Sequence, residues 1–223
     1  MALTLTGAAA LLFAASHDSG ALERFESRYG SARAMQTKFL ERYYDNGKQV
    51  RAEAGRAYFQ RPGKMRWDYE SPEKNTFLVD GKYVWFYSPA DHTVTRMPTK
   101  QSEDWRTPLA FLTSHVKLSR ICAVLAPDFT AQPTMPANEV YSCALRETAQ
   151  ANGTKGRVAS LEITPGGELV RVLVPEEAGM RLEFSFGGWE FDPQLPKGLF
   201  EFTPPADAVI LNGLLPDTPG MRQ

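Results

Sequence analysis

From Ala34 to Met97 the chain is cut into short runs of period-two alternation, each closed by turn-forming residues, and no other feature constrains its fold as strongly. In the first run Met35, Thr37 and Phe39 face one way and Gln36, Lys38 and Leu40 the other, as far as the turn Asp45-Asn46-Gly47. A second run from about Val50 to Arg61 stops at Pro62-Gly63, so residues 34 to 60 form a hairpin. A third, Lys64 to Tyr69, sets Met65, Trp67 and Tyr69 against Lys64, Arg66 and Asp68. Thr76 to Val79, Tyr83 to Tyr87 and Thr93 to Met97 follow, parted by Asp80-Gly81 and Ser88-Pro89. Connections this short make neighbours in sequence neighbours in the sheet, and a meander is the simplest result.

Further strands are expected at Val140 to Glu147, Val158 to Thr164, Leu169 to Val174, Met180 to Gly187 and Phe200 to Thr203, after a Pro-rich irregular stretch from Pro127 to Pro136. Two helices interrupt the pattern. Asp18 or Ser19 can cap the first, whose apolar positions Leu22, Phe25 and Tyr29 recur at helical spacing and which Gly30 is placed to end. Pro108 opens the second, running through Leu109, Ala110, Phe111 and Leu112. Helices so short and apolar must lie on the concave side of a sheet. The expected fold class is mainly β with short helices (α+β), a strongly curved antiparallel sheet or open barrel of roughly ten strands.

A formal net charge of −1 lacks the basic excess that a nucleic-acid partner demands. The apolar leader from Leu3 to Ala15 is too short for a membrane span and reads as a signal peptide, with a small-x-small site at Ala14-Ala15-Ser16, although no Lys or Arg precedes it. The expected organisation is a leader over 1–16, one domain over 17–211 and a loose tail over 212–223. Cys122 and Cys143 fit neither a CxxC redox pair nor a zinc site. If exported, they could form a disulfide that stabilises by about 3 kcal/mol; their spacing leaves the pairing open.

Candidates for chemistry are scarce. His17, His92 and His115 fall in no metal-ligand spacing, and the adjacent Ser114-His115 point in different directions on any regular element. There is no nucleophile elbow and no phosphate-cradling glycine loop. The expectation is a protein that is not an enzyme and uses no cofactor and no metal.

The block from Gly55 to Pro89, with Gly55, an aromatic strand, Arg61-Pro62, Trp67, Pro72, Asp80-Gly81, Trp85-x-Tyr87 and Pro89, resembles the signature of the LolA family of lipoprotein carriers. Thr107 to Leu112 is similar to part of that family's lid, and Phe200-Glu201-Phe202-Thr203-Pro204-Pro205 to its closing strand. The resemblance implies a half-open antiparallel β-barrel with an α-helical lid, located in the periplasm and acting as a monomer. It would hold lipoprotein acyl chains, receive them from an inner-membrane LolCDE-type ABC exporter and pass them to an outer-membrane acceptor of LolB type. Such cargo needs shelter, since one chain of about sixteen carbons costs on the order of 12 kcal/mol to expose to water.

The resemblance also implies that Arg61 bonds the lid and keeps it closed, while alternation puts Arg61 on the face of Ala57 and Phe59. The expected cavity lining is Phe39, Phe59, Trp67, Phe77, Trp85, Tyr87, Phe111, Leu112 and Phe184. An RseB-like lipid-responsive sensor and a carrier of another amphiphile stay open as alternatives. The stretch from about Ile121 to Pro136 and the two cysteines depart from the family pattern.

Overall fold

A computed structural model describes residues 20–99, 109, 112–113, 117–145, 158–175 and 179–213. Helix α1 (Gly20–Ser31) leads into strands β1 (Ala34–Asp45), β2 (Lys48–Gln60), β3 (Lys64–Ser71), β4 (Thr76–Val79), β5 (Tyr83–Ser88) and β6 (Thr93–Pro98). The short helix α2 (Leu118–Ile121) precedes β7 (Cys122–Pro127), β8 (Glu139–Leu145), β9 (Val158–Ile163), β10 (Leu169–Pro175), β11 (Met180–Phe191) and β12 (Val209–Asn212). All twelve strands form one sheet in the order β12-β6-β5-β4-β3-β2-β1-β11-β10-β9-β8-β7. Its edges, β12 and β7, do not pair with each other, so the curved sheet is a half-open barrel. Every pairing is antiparallel except β12 on β6.

The meander from β1 to β6 follows the turns read from the sequence, and β1 and β2 form the expected hairpin. Burial along β1 alternates, with Met35, Thr37, Phe39, Glu41 and Tyr43 inward. Beyond α2 and β12, which the sequence pattern did not mark, three elements differ from expectation. Gly30 lies inside the last turn of α1 rather than beyond it. The expected irregular stretch begins with a strand, since β7 runs to Pro127. Residues 200–203 form no strand, because Pro204 and Pro205 have no N–H to offer a ladder; Phe200 and Phe202 instead pack as coil against the outer face of the sheet. Asp18, Ser19 and the expected leader lie outside the described residues, as do Pro108, Ala110, Phe111, Ser114, His115 and most of the tail.

One large buried cluster occupies the concave face. It takes Phe39, Phe59, Trp67, Phe77, Phe184, Phe186 and Trp189 from the sheet, Phe25 and Tyr29 from α1, Leu118 from α2 and Leu109 and Leu112 from the segment before it. A smaller cluster on the convex face joins Leu78, Trp85 and Val94 to Phe200. Tyr87, Leu195, Leu199 and Phe202 pack around it, so the segment from 195 to 208 covers that part of the outer wall.

Candidate functional site

The concave wall is assembled by strand register. Thr37 pairs with Ala57, Ala57 with Trp67, Trp67 with Phe77 and Phe77 with Phe86, giving one continuous inward row. In the next row Phe39, Gly55 and Tyr69 stand side by side. A Cβ at Gly55 would lie 2.0 Å from the Asp68 carbonyl oxygen, so only glycine permits β2 and β3 to approach this closely. With no side chain between them, the Phe39 and Tyr69 rings meet at 5.1 Å across β2.

Trp67 is wholly buried, with edge-on neighbours Phe39 at 4.7 Å, Phe184 at 5.6 Å and Phe59 at 5.9 Å. Such ring pairs add about 0.5–1.5 kcal/mol each beyond the area they bury. Phe77, Leu112 and Phe184 are equally enclosed.

Two residues of the expected lining are elsewhere, a correction to the sequence reading. On β5, Val84 and Phe86 belong to the concave cluster, whereas Tyr83, Trp85 and Tyr87 point to the convex one. The Trp85 indole donates to Asp80 at 2.8 Å and its ring meets Phe202 at 5.4 Å. Burial works to raise the pKa of Asp80, but bonds from the Tyr83 N–H, the Trp85 indole and the Lys82 N–H outweigh it and hold the carboxyl below its ordinary value. Trp85 thus clasps the β4–β5 turn. Phe111 lies outside the described residues.

Phe186 and Trp189 also line the concave face and were not among the expected residues. Phe186 shares its face with Phe184 by simple alternation. Trp189 is out of phase with both, and reaches the same face because the β1–β11 register slips between Gln36 and Lys38. Gly188 supplies the positive φ of +68° at that bulge, so the Gly187-Gly188 dipeptide was the available signal. The Trp189 indole donates to the Leu169 carbonyl at 2.7 Å, and the Tyr29 hydroxyl accepts the Leu169 N–H at 3.0 Å. Burial pushes the Tyr29 hydroxyl far above its ordinary pKa, so it stays neutral.

The wall has a polar end. Glu41 and Glu53 face each other across the β1–β2 ladder, both buried. The Tyr43 hydroxyl donates to Glu41, as does that of Tyr69 at 2.9 Å, and Arg51 pairs with Glu53 at 2.5 Å. Sequence reasoning missed this group, although Glu41 interrupts an apolar inward set that runs from Met35 to Phe39.

Arg61 sits at the opposite end, where the inward set of β2 finishes. Its guanidinium donates to the Ala32 carbonyl just beyond α1, and its backbone N–H donates to the Arg33 carbonyl at 2.9 Å. Burial lowers the guanidinium pKa and the nearby Asp192 carboxylate opposes that shift. Asp192 in turn accepts the Arg33 and Ala34 N–H groups at 2.7 and 3.1 Å. Two residues on, the Gly63 N–H donates to the Thr113 carbonyl at 3.1 Å. The β2–β3 turn therefore holds two of the elements that cover the concave face: α1, through the carbonyl that follows it, and the segment carrying Leu109 and Leu112.

At the other edge of the sheet Cys122 and Cys143 form a disulfide with a Cα separation of 5.2 Å, joining β7 to β8. Glu162 anchors the loop between these strands, accepting from the Thr134 N–H at 2.7 Å and the Asn138 side chain at 2.8 Å. A groove of about 360 Å³ lies there, lined by Leu22, Leu125, Phe129, Pro133, Val140 and Tyr141 among others; Tyr141 belongs to the concave cluster, and Leu22 and Leu125 pack against it.

Together these features define an open, curved antiparallel sheet whose aromatic concave face is closed by a helix and a short segment rather than by strands. The chain matches the family of outer membrane lipoprotein carrier proteins, LolA, over residues 31–203, and it belongs to that family. It is similar to the outer-membrane lipoprotein carrier proteins of Xanthomonas campestris pv. campestris, at 26% identity over 88% of this chain and 90% of the relative. That of Methylococcus capsulatus is 28% identical, over 89% and 90%. Its fold is similar to the crystal structure of an uncharacterized conserved protein from Thermus thermophilus, with a TM-score of 0.51 at 15% identity over 86% of this chain and 97% of that one. Among the described residues no helix is long and apolar enough to cross a membrane.

Proposed function

We propose that this protein is a periplasmic carrier that takes lipoprotein acyl chains against its concave face and passes them from the inner to the outer membrane. The observation that carries this reading is an aromatic wall buried beneath coverings that are not part of the sheet. Three of the covering side chains, Leu109, Leu112 and Leu118, are at most 2% exposed. Burial of three leucines contributes together roughly 5–9 kcal/mol, whereas one acyl chain of about sixteen carbons is worth about 12. Replacing the cover by a chain is thus favourable by a few kcal/mol, enough to bind and small enough to reverse. The donor would be a LolCDE-type ABC exporter, the acceptor a protein of LolB type, and the carrier a monomer that performs no chemistry and needs no cofactor. The disulfide suits an oxidising compartment such as the periplasm.

In this reading Arg61 is the latch of the empty state. A hydrogen bond from a charged donor is worth about 1.5–3 kcal/mol. Arg61→Leu should therefore fold yet hold cargo about ten- to a hundredfold longer, measured as release of a bound lipoprotein to acceptor vesicles; unchanged release would remove the latch. Native mass spectrometry of protein recovered gently from the periplasm tests the carrier reading itself. A co-purifying acylated mass supports it, and a protein that is reproducibly empty and ignores added triacylated lipopeptide overturns it.

A further inference from the structure

Among the described residues, the buried side-chain atoms left without a hydrogen-bond partner are Trp67 Nε1, Asn75 Oδ1, Thr99 Oγ1, Glu162 Oε2 and Arg171 Nε. Glu162 Oε2 and Arg171 Nε lie 2.8 Å apart as an ion pair, so their charges answer each other despite a poor hydrogen-bond angle. Asn75 precedes β4 and Thr99 follows β6. Trp67 is the member of this set that stands in the concave cluster.

An unpaired indole N–H enclosed by phenylalanines costs about 1–3 kcal/mol. A phenylalanine at 67 would keep the ring contacts without that cost. The other buried tryptophans of the described sheet meet the requirement: Trp85 donates to Asp80 and Trp189 to the Leu169 carbonyl. The missing acceptor at Trp67 is therefore one that arrives with a ligand. Rings of Phe39, Phe59 and Phe184 surround the site, so a neutral acceptor suits it better than an anion, whose desolvation is far more costly. On a long-chain amphiphile the neutral acceptor is the carbonyl oxygen that joins an acyl chain to its head.

We propose that Trp67 Nε1 donates a hydrogen bond to the ester or amide carbonyl of an acylated ligand, fixing how deep the chains sit against the concave wall. This inference rests on the carrier reading above and adds to it a discrimination: ester- and amide-linked chains are preferred over ether-linked chains of equal length.

The test compares a dipalmitoyl-glyceryl-cysteine peptide with its dihexadecyl ether counterpart, on full-length wild type and Trp67→Phe. The variant should bind the ester probe about three- to tenfold more weakly and the ether probe within about twofold of wild type. Its melting temperature without ligand should be unchanged or higher. Equal weakening of both probes, or a free variant that melts several degrees lower, overturns the proposal. The indole N–H proton resonance of Trp67 in wild type needs no variant: it should move downfield with the ester probe and not with the ether, and identical responses overturn the proposal. A wild type that binds neither probe overturns the carrier reading instead.

Discussion

The two faces of this sheet are both aromatic, yet they are built to different ends. On the convex face Trp85 and Tyr87 pack under Phe200 and Phe202, and the polar atom of Trp85 is spent on Asp80. Cover and wall there belong to continuous chain that closes the sheet's outer surface. On the concave face the rings around Trp67 meet a cover held through the β2–β3 turn, by the Arg61 bond to the Ala32 carbonyl and the Gly63 bond to Thr113. Aromatic richness is therefore common to both faces; what sets the proposed ligand face apart is a cover held by hydrogen bonds at one turn and an indole N–H, that of Trp67, without a hydrogen-bond partner among the described residues.

The largest expected effect strikes the concave wall at its narrowest point. Gly55→Val must push back a backbone carbonyl that stands 2.0 Å from the new Cβ, and β2 and β3 cannot separate without breaking the row of Phe39 and Tyr69. We expect a loss of more than about 4 kcal/mol, read as a failure to unfold cooperatively in urea. A variant within about 1 kcal/mol of wild type would mean that the wall yields, and that its contrast with the outer face is one of degree.

How much of this was legible in the sequence varies with the physics of each element. The meander was readable because Asp45-Asn46-Gly47, Pro62-Gly63 and Asp80-Gly81 mark its turns and make successive strands neighbours in the sheet. Which residues share a face was equally readable. Which face is concave was not, because at β5 both faces are covered, and alternation says nothing about direction when each side is apolar. Hence Trp85 and Tyr87 were placed inward. Phe200 and Phe202 carry strand periodicity but lie in coil, where Pro204 and Pro205 rule out pairing. The β11 bulge that turns Trp189 inward depends on register against β1, distant in sequence, with Gly187-Gly188 as its local sign, and the Glu41–Glu53 pairing lies beyond a register shift between Tyr43 and Tyr44 in the β1–β2 hairpin.

A middle-sized effect separates the two faces directly. Trp85→Ala and Phe59→Ala each remove a large buried ring and should each cost about 3–5 kcal/mol in denaturant unfolding. Their effects on ligand should diverge: affinity of the folded protein for a triacylated lipopeptide stays within about twofold for Trp85→Ala and falls at least about tenfold for Phe59→Ala. Equal losses would erase the functional distinction between the faces while leaving the structural one.

The smallest effect is a difference in pH dependence. Burial acts to raise the Asp80 pKa, but the Tyr83, Trp85 and Lys82 bonds prevail and depress it. A depressed carboxyl stabilises the fold fully above its unfolded value, near pH 4, and that contribution is lost as pH falls through the lower folded value. Asp80→Asn should thus be less stable than wild type by about 1 kcal/mol at neutral pH, and the gap should narrow on acidification below about pH 4. Trp67 has no titrating partner among the described residues, so the stability difference between Trp67→Phe and wild type should stay flat over the same range. Urea unfolding of the three proteins at stepwise lower pH reads both slopes. A flat Asp80→Asn gap would show that the outer indole needs its carboxylate no more than the inner one does, and the contrast between the two tryptophans would then rest on ligand binding alone.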